Sequence, residues 1–183
     1  LVRAPFDAKV VAIRLDPDYA PAYASLASTY LDMVVFGLLT PREVRDLAPA
    51  AAEAAFAKDP LLADAALARA EVRFRLGWDW GAESDYRLAV DLNPSDISAR
   101  NRLARFLWAD ERLNEAESEL RTALTIDPTS NELHTNIGVT LFYQGRYDEA
   151  IRHYLERSTG RTSGHVGLGR AYAGAGRYPE AIK

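Results

Sequence analysis

The sequence predicts an all-α fold built from a row of stacked helical hairpins, and three observations support this prediction. Hydrophobic residues make up 48% of the chain, and alanine and leucine dominate them, which favours helix over sheet. Asp-Pro or Asn-Pro dipeptides recur at a constant interval, with prolines at Pro60, Pro94 and Pro128. An alanine lies five residues before each of these prolines. A chain that repeats itself at this period is best interpreted as an array of repeats.

The recurring dipeptides mark where helices end, because the residue before a proline is pushed out of the helical region. Within a repeat, a glycine marks the end of the first helix. Gly145 follows a helical stripe that contains Ile137 and Leu141, and a second helix opens near Tyr147. The same arrangement returns around Gly176. Each repeat is therefore predicted to be a helix, a tight turn and a helix.

These markers divide the chain into six segments, equivalent to about four full hairpins with partial repeats at both ends. The longest repeat contains an insertion, after which Thr40-Pro41-Arg42-Glu43 forms a capping box with proline at the first helical position. Because both ends of the sequence fall inside the pattern, we expect a piece of a longer polypeptide. The segments are an isolated second helix at 5–17, the long repeat at 19–60, repeats at 61–94, 95–128 and 129–161, and a truncated repeat at 162–183.

Composition excludes several functional classes. A net charge of −4 lacks the basic surplus of a general nucleic-acid binder. The chain has no cysteine, so it has no disulfide and no thiolate metal site, which suits a cytoplasmic protein. No apolar run approaches the ~20 residues of a membrane span, and no signal-peptide pattern opens the sequence. We expect a cytoplasmic segment that binds neither nucleic acid nor membrane.

The repeats resemble a known family through a large apolar residue, a small residue and an apolar residue three positions later. This pattern occurs at Leu26-Ala27-Tyr30, Leu103-Ala104-Leu107, Ile137-Gly138-Leu141 and Leu168-Gly169-Tyr172. It resembles the tetratricopeptide repeat, a helix–turn–helix unit. The resemblance implies a right-handed α-α superhelix, a solenoid whose first helices line a concave ligand-binding face. It also implies a scaffold that binds a protein or peptide.

A narrower resemblance rests on the residues 37–43 and on Trp78-Asp79-Trp80. These stretches are similar to the tetratricopeptide region of bacterial signalling proteins and transcriptional regulators. In those relatives the repeats form the sensory or protein-interaction half. The resemblance implies that this chain is the regulatory part of a larger protein.

The repeat register places a mixed polar and aromatic set of side chains on the concave face. Arginine and asparagine would bind backbone or carboxylate groups of the ligand, and the aromatic rings would fill apolar pockets. Of this set, only Asn136 agrees with the carboxylate clamp of chaperone-binding relatives, so an extended peptide is the predicted ligand. The predicted contacts are Asn101, Arg105, Trp108, Asn136, Phe142 and Tyr143.

Two further pairs of residues, one of arginines and one of tryptophans, each allow more than one interpretation. Arg69 and Arg73 occupy positions where the repeat calls for apolar residues. They either extend outward along their stems, pair with carboxylates of adjacent helices, or receive a ligand carboxylate. Trp78 and Trp80 either cover the end of a hairpin or offer aromatic anchors to a partner.

Catalysis is not predicted, and neither is a cofactor. The histidines His134, His153 and His165 share no metal-ligand spacing, so no metal site is predicted. The glycines near the end of the chain lack the spacing of a phosphate-binding loop. Two alternative functions remain open. One is self-association through the terminal helices; the other is a small-molecule sensor at the insertion, near Met33, Phe36 and Leu39.

Overall fold

The computed structural model describes residues 3–77, 81–156 and 162–182, and these ranges contain helices and turns but no strand. The predicted all-α class is therefore confirmed. One turn of π-helix, Arg73–Gly77, follows the fifth helix. The helices are α1 (Arg3–Leu15), α2 (Ala20–Val35), α3 (Pro41–Val44), α4 (Leu47–Lys58), α5 (Ala63–Val72), α6 (Gly81–Leu92), α7 (Ile97–Ala109), α8 (Leu113–Ile126), α9 (Asn131–Tyr143), α10 (Tyr147–Glu156), α11 (Thr162–Gly174) and α12 (Tyr178–Ala181).

The chain forms two compact units, Leu1–Ala99 and Arg100–Lys183, whose boundary falls within α7. In the first unit α2 packs on α4 and α5, and α5 packs on α6. Alanine dominates this core. Because an alanine methyl occupies little space, the helix backbones approach closely. The fully buried alanines of the cluster are Ala27, Ala48, Ala52, Ala55 and Ala65.

The insertion of the long repeat ends in the predicted capping box. The Thr40 backbone N–H donates to the Glu43 carboxylate at 2.7 Å, and the Glu43 backbone N–H donates to Thr40 Oγ1 at 3.4 Å. The short α3 that follows ends at Val44, and α4 begins anew at Leu47. Pro49 therefore lies in the first turn of α4, where the missing N–H costs no intrahelical bond.

The hairpin turns of the second unit share one backbone geometry. Gly145 and Gly176 adopt positive φ angles of 76° and 74°, which glycine tolerates without strain. The turn between α7 and α8 takes the same course, but its positive φ of 60° belongs to Glu111. There, the Arg112 backbone N–H donates to the Leu107 carbonyl at 2.8 Å. This turn of the second unit therefore forms without the glycine found in the turns at Gly145 and Gly176.

Tyr154 of α10 packs between two glycines of neighbouring helices. A methyl group added at Gly138 of α9 would lie 2.7 Å from the ring, and one at Gly167 of α11 would lie 2.6 Å from it. The ring is 4% exposed, and burial raises the pKa of the Tyr154 hydroxyl to about 12. The three helices α9, α10 and α11 therefore meet around one aromatic side chain.

Among the helices assigned above, none is long and apolar enough to cross a membrane.

Candidate functional site

Three of the predicted contact residues, Arg105 and Trp108 of α7 and Asn136 of α9, line a cavity of about 130 Å³ in the second unit. Helical spacing brings them there, since residues three or four apart lie on one face of a helix. Leu120 of α8 completes the wall. The cavity is lined by Ala104, Arg105, Trp108, Leu120, Asn136, Val139 and Thr140.

Arg105 presents an exposed cation at this cavity. Within the part of the chain that the structure describes, no hydrogen bond or ion pair engages its guanidinium group. The neighbouring Arg100 differs, because it donates to Glu119 at 2.8 Å. Arg105 is therefore free to pair with an external anion or carbonyl group.

Two aromatic rings extend the surface beside Arg105. Trp108 is 38% exposed and Tyr143 is 52% exposed, and their ring centroids lie 5.3 Å apart in an edge-to-face arrangement. Phe142 behaves differently. It is half-buried, with its ring 5.4 Å from Tyr143 and 5.6 Å from Tyr147. Trp108 and Tyr143 therefore face solvent, whereas Phe142 packs within the hairpin and supports Tyr143.

Asn101 and Asn136 form a hydrogen-bonded link between α7 and α9. Asn136 Nδ2 donates to Asn101 Oδ1 at 2.7 Å, and Asn101 Nδ2 donates to Glu132 Oε1 at 2.7 Å. Asn101 is only 8% exposed. Its amide is thus already used inside the chain, which indicates that Asn101 positions Asn136 for any ligand at the cavity.

The arginine pair Arg69 and Arg73 lies in the first unit and points at one carboxylate. Asp85, which is 2% exposed, accepts two hydrogen bonds from Arg69 and one from Arg73. Glu53 accepts a further bond from Arg73 at 3.0 Å. Arg69 also lies over the Phe56 ring, 3.3 Å from its centroid. These partners favour the structural alternative, pairing with carboxylates of adjacent helices, over capture of a ligand.

Trp78 and Trp80 lie outside the described residues, so their proposed contact with a partner stays a prediction. The expected boundary between the repeats at 129–161 and 162–183 adjoins residues 157–161, which are also outside the description. At the insertion, Met33 and Leu39 are half-buried, and Phe36 is 72% exposed. The adjacent cleft of about 600 Å³ is lined instead by Thr40, Pro41, Arg42, Arg45, Arg75 and Leu76.

A cluster that the sequence did not predict lies between α9 and α10. His134 Nδ1 is 3.2 Å from His153 Nδ1 and 3.5 Å from a carboxylate oxygen of Glu156. Burial, together with the neighbouring His134, lowers the pKa of His153. Sequence reasoning missed this cluster because His134 is 19 residues from its partner on a separate helix. The one local signal was the three-residue interval between His153 and Glu156, which places both on one helix face.

Comparison with known proteins identifies the repeats. Residues 80–131 and 135–183, more than half of the chain, match the tetratricopeptide repeat family. The chain belongs to the tetratricopeptide repeat family. Proteins with tetratricopeptide repeats are scaffolds for protein interaction.

One curated protein is similar along nearly the whole chain. Superkiller protein 3 of Schizosaccharomyces pombe is 29% identical over 192 residues, which include 97% of this chain. This tetratricopeptide chain spans only 10% of that protein's length.

Two solved structures show the same tetratricopeptide fold. PilW, a type IV pilus biogenesis factor, is 15% identical, with a TM-score of 0.84 over 99% of this chain and 81% of PilW. YrrB, described as a tetratricopeptide protein with an unusual peptide-binding site, is 20% identical, with a TM-score of 0.67 over 96% of this chain and 87% of YrrB. The predicted fold class, an all-α tetratricopeptide superhelix, is confirmed.

Proposed function

We propose that this chain is a non-catalytic scaffold whose second unit binds an extended peptide segment of a partner protein. The binding surface is formed by Arg105, Trp108, Asn136 and Tyr143 and is called the peptide face below. The observation that carries the proposal is the free, exposed Arg105 guanidinium beside two partly exposed rings at the rim of a cavity.

The chemistry of the peptide face suits a peptide with an acidic group next to an apolar side chain. A guanidinium group offers forked donors that match a carboxylate or two carbonyl oxygens. Trp108 and Tyr143 supply large apolar area, and such residues are enriched at the centres of binding surfaces. A cavity of about 150 Å³ holds a benzene molecule, so the 130 Å³ here suits one aliphatic or small aromatic side chain.

Asn101 and Phe142 support this surface in the proposal. Asn101 holds the Asn136 amide through its hydrogen bond, and Phe142 fixes the Tyr143 ring by edge-to-face packing. Fixing these side chains before binding lowers the entropic cost of association.

A selection from a random dodecapeptide library displayed on phage tests the proposal. We expect the wild-type chain to enrich peptides that combine Asp or Glu with a large apolar residue. Their affinity, measured by fluorescence polarisation, should fall about tenfold or more in Arg105→Ala and Trp108→Ala, since loss of a central contact costs ~2 kcal/mol or more.

Arg152→Ala is the matched control. Arg152 is an exposed arginine of α10, with a side chain 67% exposed and only a 3.8 Å ion pair to Glu149 among those described. Its removal should leave the affinity unchanged. Equal binding by wild type and Arg105→Ala, or equal weakening by Arg152→Ala, would contradict the proposal.

We also propose that the chain is the regulatory part of a larger bacterial signalling protein that acts in the cytoplasm. Support comes from the resemblance of residues 37–43 to the repeat regions of such proteins. The coding sequence on either side tests this: an adjoining winged-helix, kinase or cyclase domain is expected, and flanks without a signalling domain would argue against it.

Self-association through the terminal helices stays a prediction. Leu15 of α1 is 82% exposed and Ile182, just after α12, is 87% exposed. Light scattering over a dilution series checks it, and a mass that stays monomeric at every concentration would exclude it.

A further inference from the structure

Two histidines of the second unit, His134 and His153, meet at one end of a helical hairpin. His134 lies in the first turn of α9, and His153 lies in the last turn of α10 with Glu156 three residues later. Because the two helices pack against each other as a hairpin with its turn at Gly145, these positions adjoin at the end opposite the turn. Two imidazoles and one carboxylate therefore face each other across α9 and α10.

The distances in this cluster match those between ligands of one small cation. Ligand atoms about 2.0–2.1 Å from a tetrahedral zinc ion lie roughly 3.4 Å from one another. His134 Nδ1 is 3.2 Å from His153 Nδ1 and 3.5 Å from Glu156 Oε2. All three ligand atoms lie within 4.8 Å of one another. The Glu156 side chain is 58% exposed, so it has room to rotate toward the two histidines.

The surroundings of His134 fix the tautomer that a metal ligand needs. Its Nε2 lies 3.2 Å from the Pro128 carbonyl oxygen. A carbonyl oxygen only accepts, so Nε2 carries the proton and donates it, and the lone pair of the neutral ring is on Nδ1. Metal-binding histidines usually donate their second ring N–H to such a carbonyl, which orients the ring. At 7% exposure, His134 is also held in place by packing.

We propose that His134 Nδ1, His153 Nδ1 and the Glu156 carboxylate bind a divalent first-row transition metal ion, and that zinc fits best. Imidazole nitrogens and a carboxylate oxygen are usual zinc ligands. Water completes the coordination on the exposed side of Glu156. His153 binds as the tautomer with its proton on Nε2, so both Nδ1 lone pairs point at the ion.

Such an ion would fasten α9 to α10 at the end of the hairpin that lacks a turn. An ion that binds the folded chain and not the unfolded chain raises the stability of the folded state. The bound ion would therefore stabilise the second unit, independently of the peptide face.

Zinc titration of the full chain, prepared without a histidine tag, tests the proposal. Calorimetry should show one zinc ion per chain, and Co²⁺ should give the visible absorption of a four- or five-coordinate site. The thermal midpoint should rise with zinc. His153→Gln and Glu156→Gln should each weaken zinc affinity by more than about tenfold, since even the loss of a group that only orients a ligand costs this much.

Asp148→Asn is the matched control for Glu156→Gln. Asp148 is on the same helix, and its side chain is 79% exposed with an Arg177 contact at 3.9 Å. The control should bind zinc like the wild type, and circular dichroism should show that all variants are folded. If the wild type binds no zinc, or if His153→Gln binds it equally well, the two histidines are a metal-free hydrogen-bonded pair and the proposal is overturned.

Discussion

Arg69 donates two hydrogen bonds to the Asp85 carboxylate, from Nε to Oδ2 at 2.8 Å and from Nη2 to Oδ1 at 2.6 Å. This geometry is the forked pairing in which a guanidinium and a carboxylate fit best. Arg73 adds a bond to the same carboxylate at 2.8 Å. Asp85 of α6 therefore binds one arginine of α5 and one of the π-helical turn that follows it.

Asp85→Ala should destabilise the first unit strongly. The side chain of Asp85 is 4% exposed and that of Arg69 is 14% exposed, so removing the carboxylate takes the buried partner away from two partly buried guanidinium groups. Breaking one partner of a buried pair costs about 3–5 kcal/mol in the free energy of unfolding. Urea unfolding followed by circular dichroism measures this loss.

Glu53→Ala is the matched control, because Glu53 pairs with the same two arginines but its side chain is 54% exposed. Exposed pairs contribute about 0–1 kcal/mol. Equal losses in the two variants would show that burial of Asp85 does not matter.

Gly167→Ala should lower stability and Gly169→Ala should not, although both change α11. A methyl at Gly167 meets the Tyr154 ring at 2.6 Å, whereas one at Gly169 meets only the Ala181 carbonyl oxygen at 3.4 Å. Overpacking costs about 1–3 kcal/mol, and replacing a helical glycine by alanine gains about 1 kcal/mol. Thermal unfolding should show a lower midpoint for Gly167→Ala and an unchanged or higher midpoint for Gly169→Ala.

The same contact should couple Gly138 to Tyr154. Gly138→Ala alone places a methyl 2.7 Å from the Tyr154 ring. In Tyr154→Leu the smaller leucine side chain replaces the ring and makes room for this methyl. The loss of stability caused by Gly138→Ala should therefore be smaller in the Tyr154→Leu background. An additive pair of changes would argue against the contact.

The capping box predicts the pH response of α3. The backbone hydrogen bond from Thr40, and then its side-chain bond, lower the pKa of Glu43 from its usual 4.5. A carboxyl group whose pKa is lower in the folded state stabilises that state above its unfolded pKa, and the contribution is lost as pH falls through the folded pKa. Carbon NMR titration should show Glu43 titrating below 4.5.

Two substitutions at Thr40 separate the effects of its backbone and side-chain hydrogen bonds on the pKa of Glu43. Thr40→Ser retains both the N–H and the hydroxyl, so the low pKa of Glu43 should persist. Thr40→Ala removes the hydroxyl that donates to the Glu43 carboxylate at 2.7 Å and accepts from the Glu43 backbone N–H. The pKa of Glu43 should therefore move back toward 4.5, and α3 should fray. An unchanged titration in Thr40→Ala would show that the backbone bond acts alone.

Glu111→Gly should stabilise the second unit. Glu111 holds a φ of 60°, and the left-handed region costs a residue with a side chain about 1–2 kcal/mol. Glycine removes this cost but gains freedom in the unfolded chain, so a net gain below about 1 kcal/mol is expected. Glu111→Ala keeps the strain, and its unfolding midpoint should not rise.

Local signals predicted most of the fold because each acts within a few residues. Gly145 and Gly176 mark turns by their own conformational freedom, and the Thr40–Glu43 capping box marks a helix start. Stacking of hairpins follows from the repeat itself. Glu111 shows the limit of such signals, because its turn has a positive φ without the glycine that would have predicted the turn from sequence.

The candidate sites depend on neighbours that are distant in sequence, and local patterns do not reveal such neighbours. The repeat register placed Arg105, Trp108 and Tyr143 on the predicted face, but it could not tell a free side chain from an engaged one. Asn101 proved to be hydrogen-bonded within the chain. For Arg69 and Arg73, the sequence left the partner open because Asp85 lies on the following helix. These distinctions require the packed structure.

The alanine core of the first unit has a consequence for how that unit tolerates mutation. Ala48, Ala52, Ala55 and Ala65 have no exposed surface and no side-chain rotamers, so they lose no rotamer entropy on folding. Replacing one of these helical alanines by glycine costs about 1 kcal/mol in helix propensity, whereas any added carbon forces two helix backbones apart. This core is therefore constrained in both directions, and enlargement at one helix demands a simultaneous change in the helix facing it.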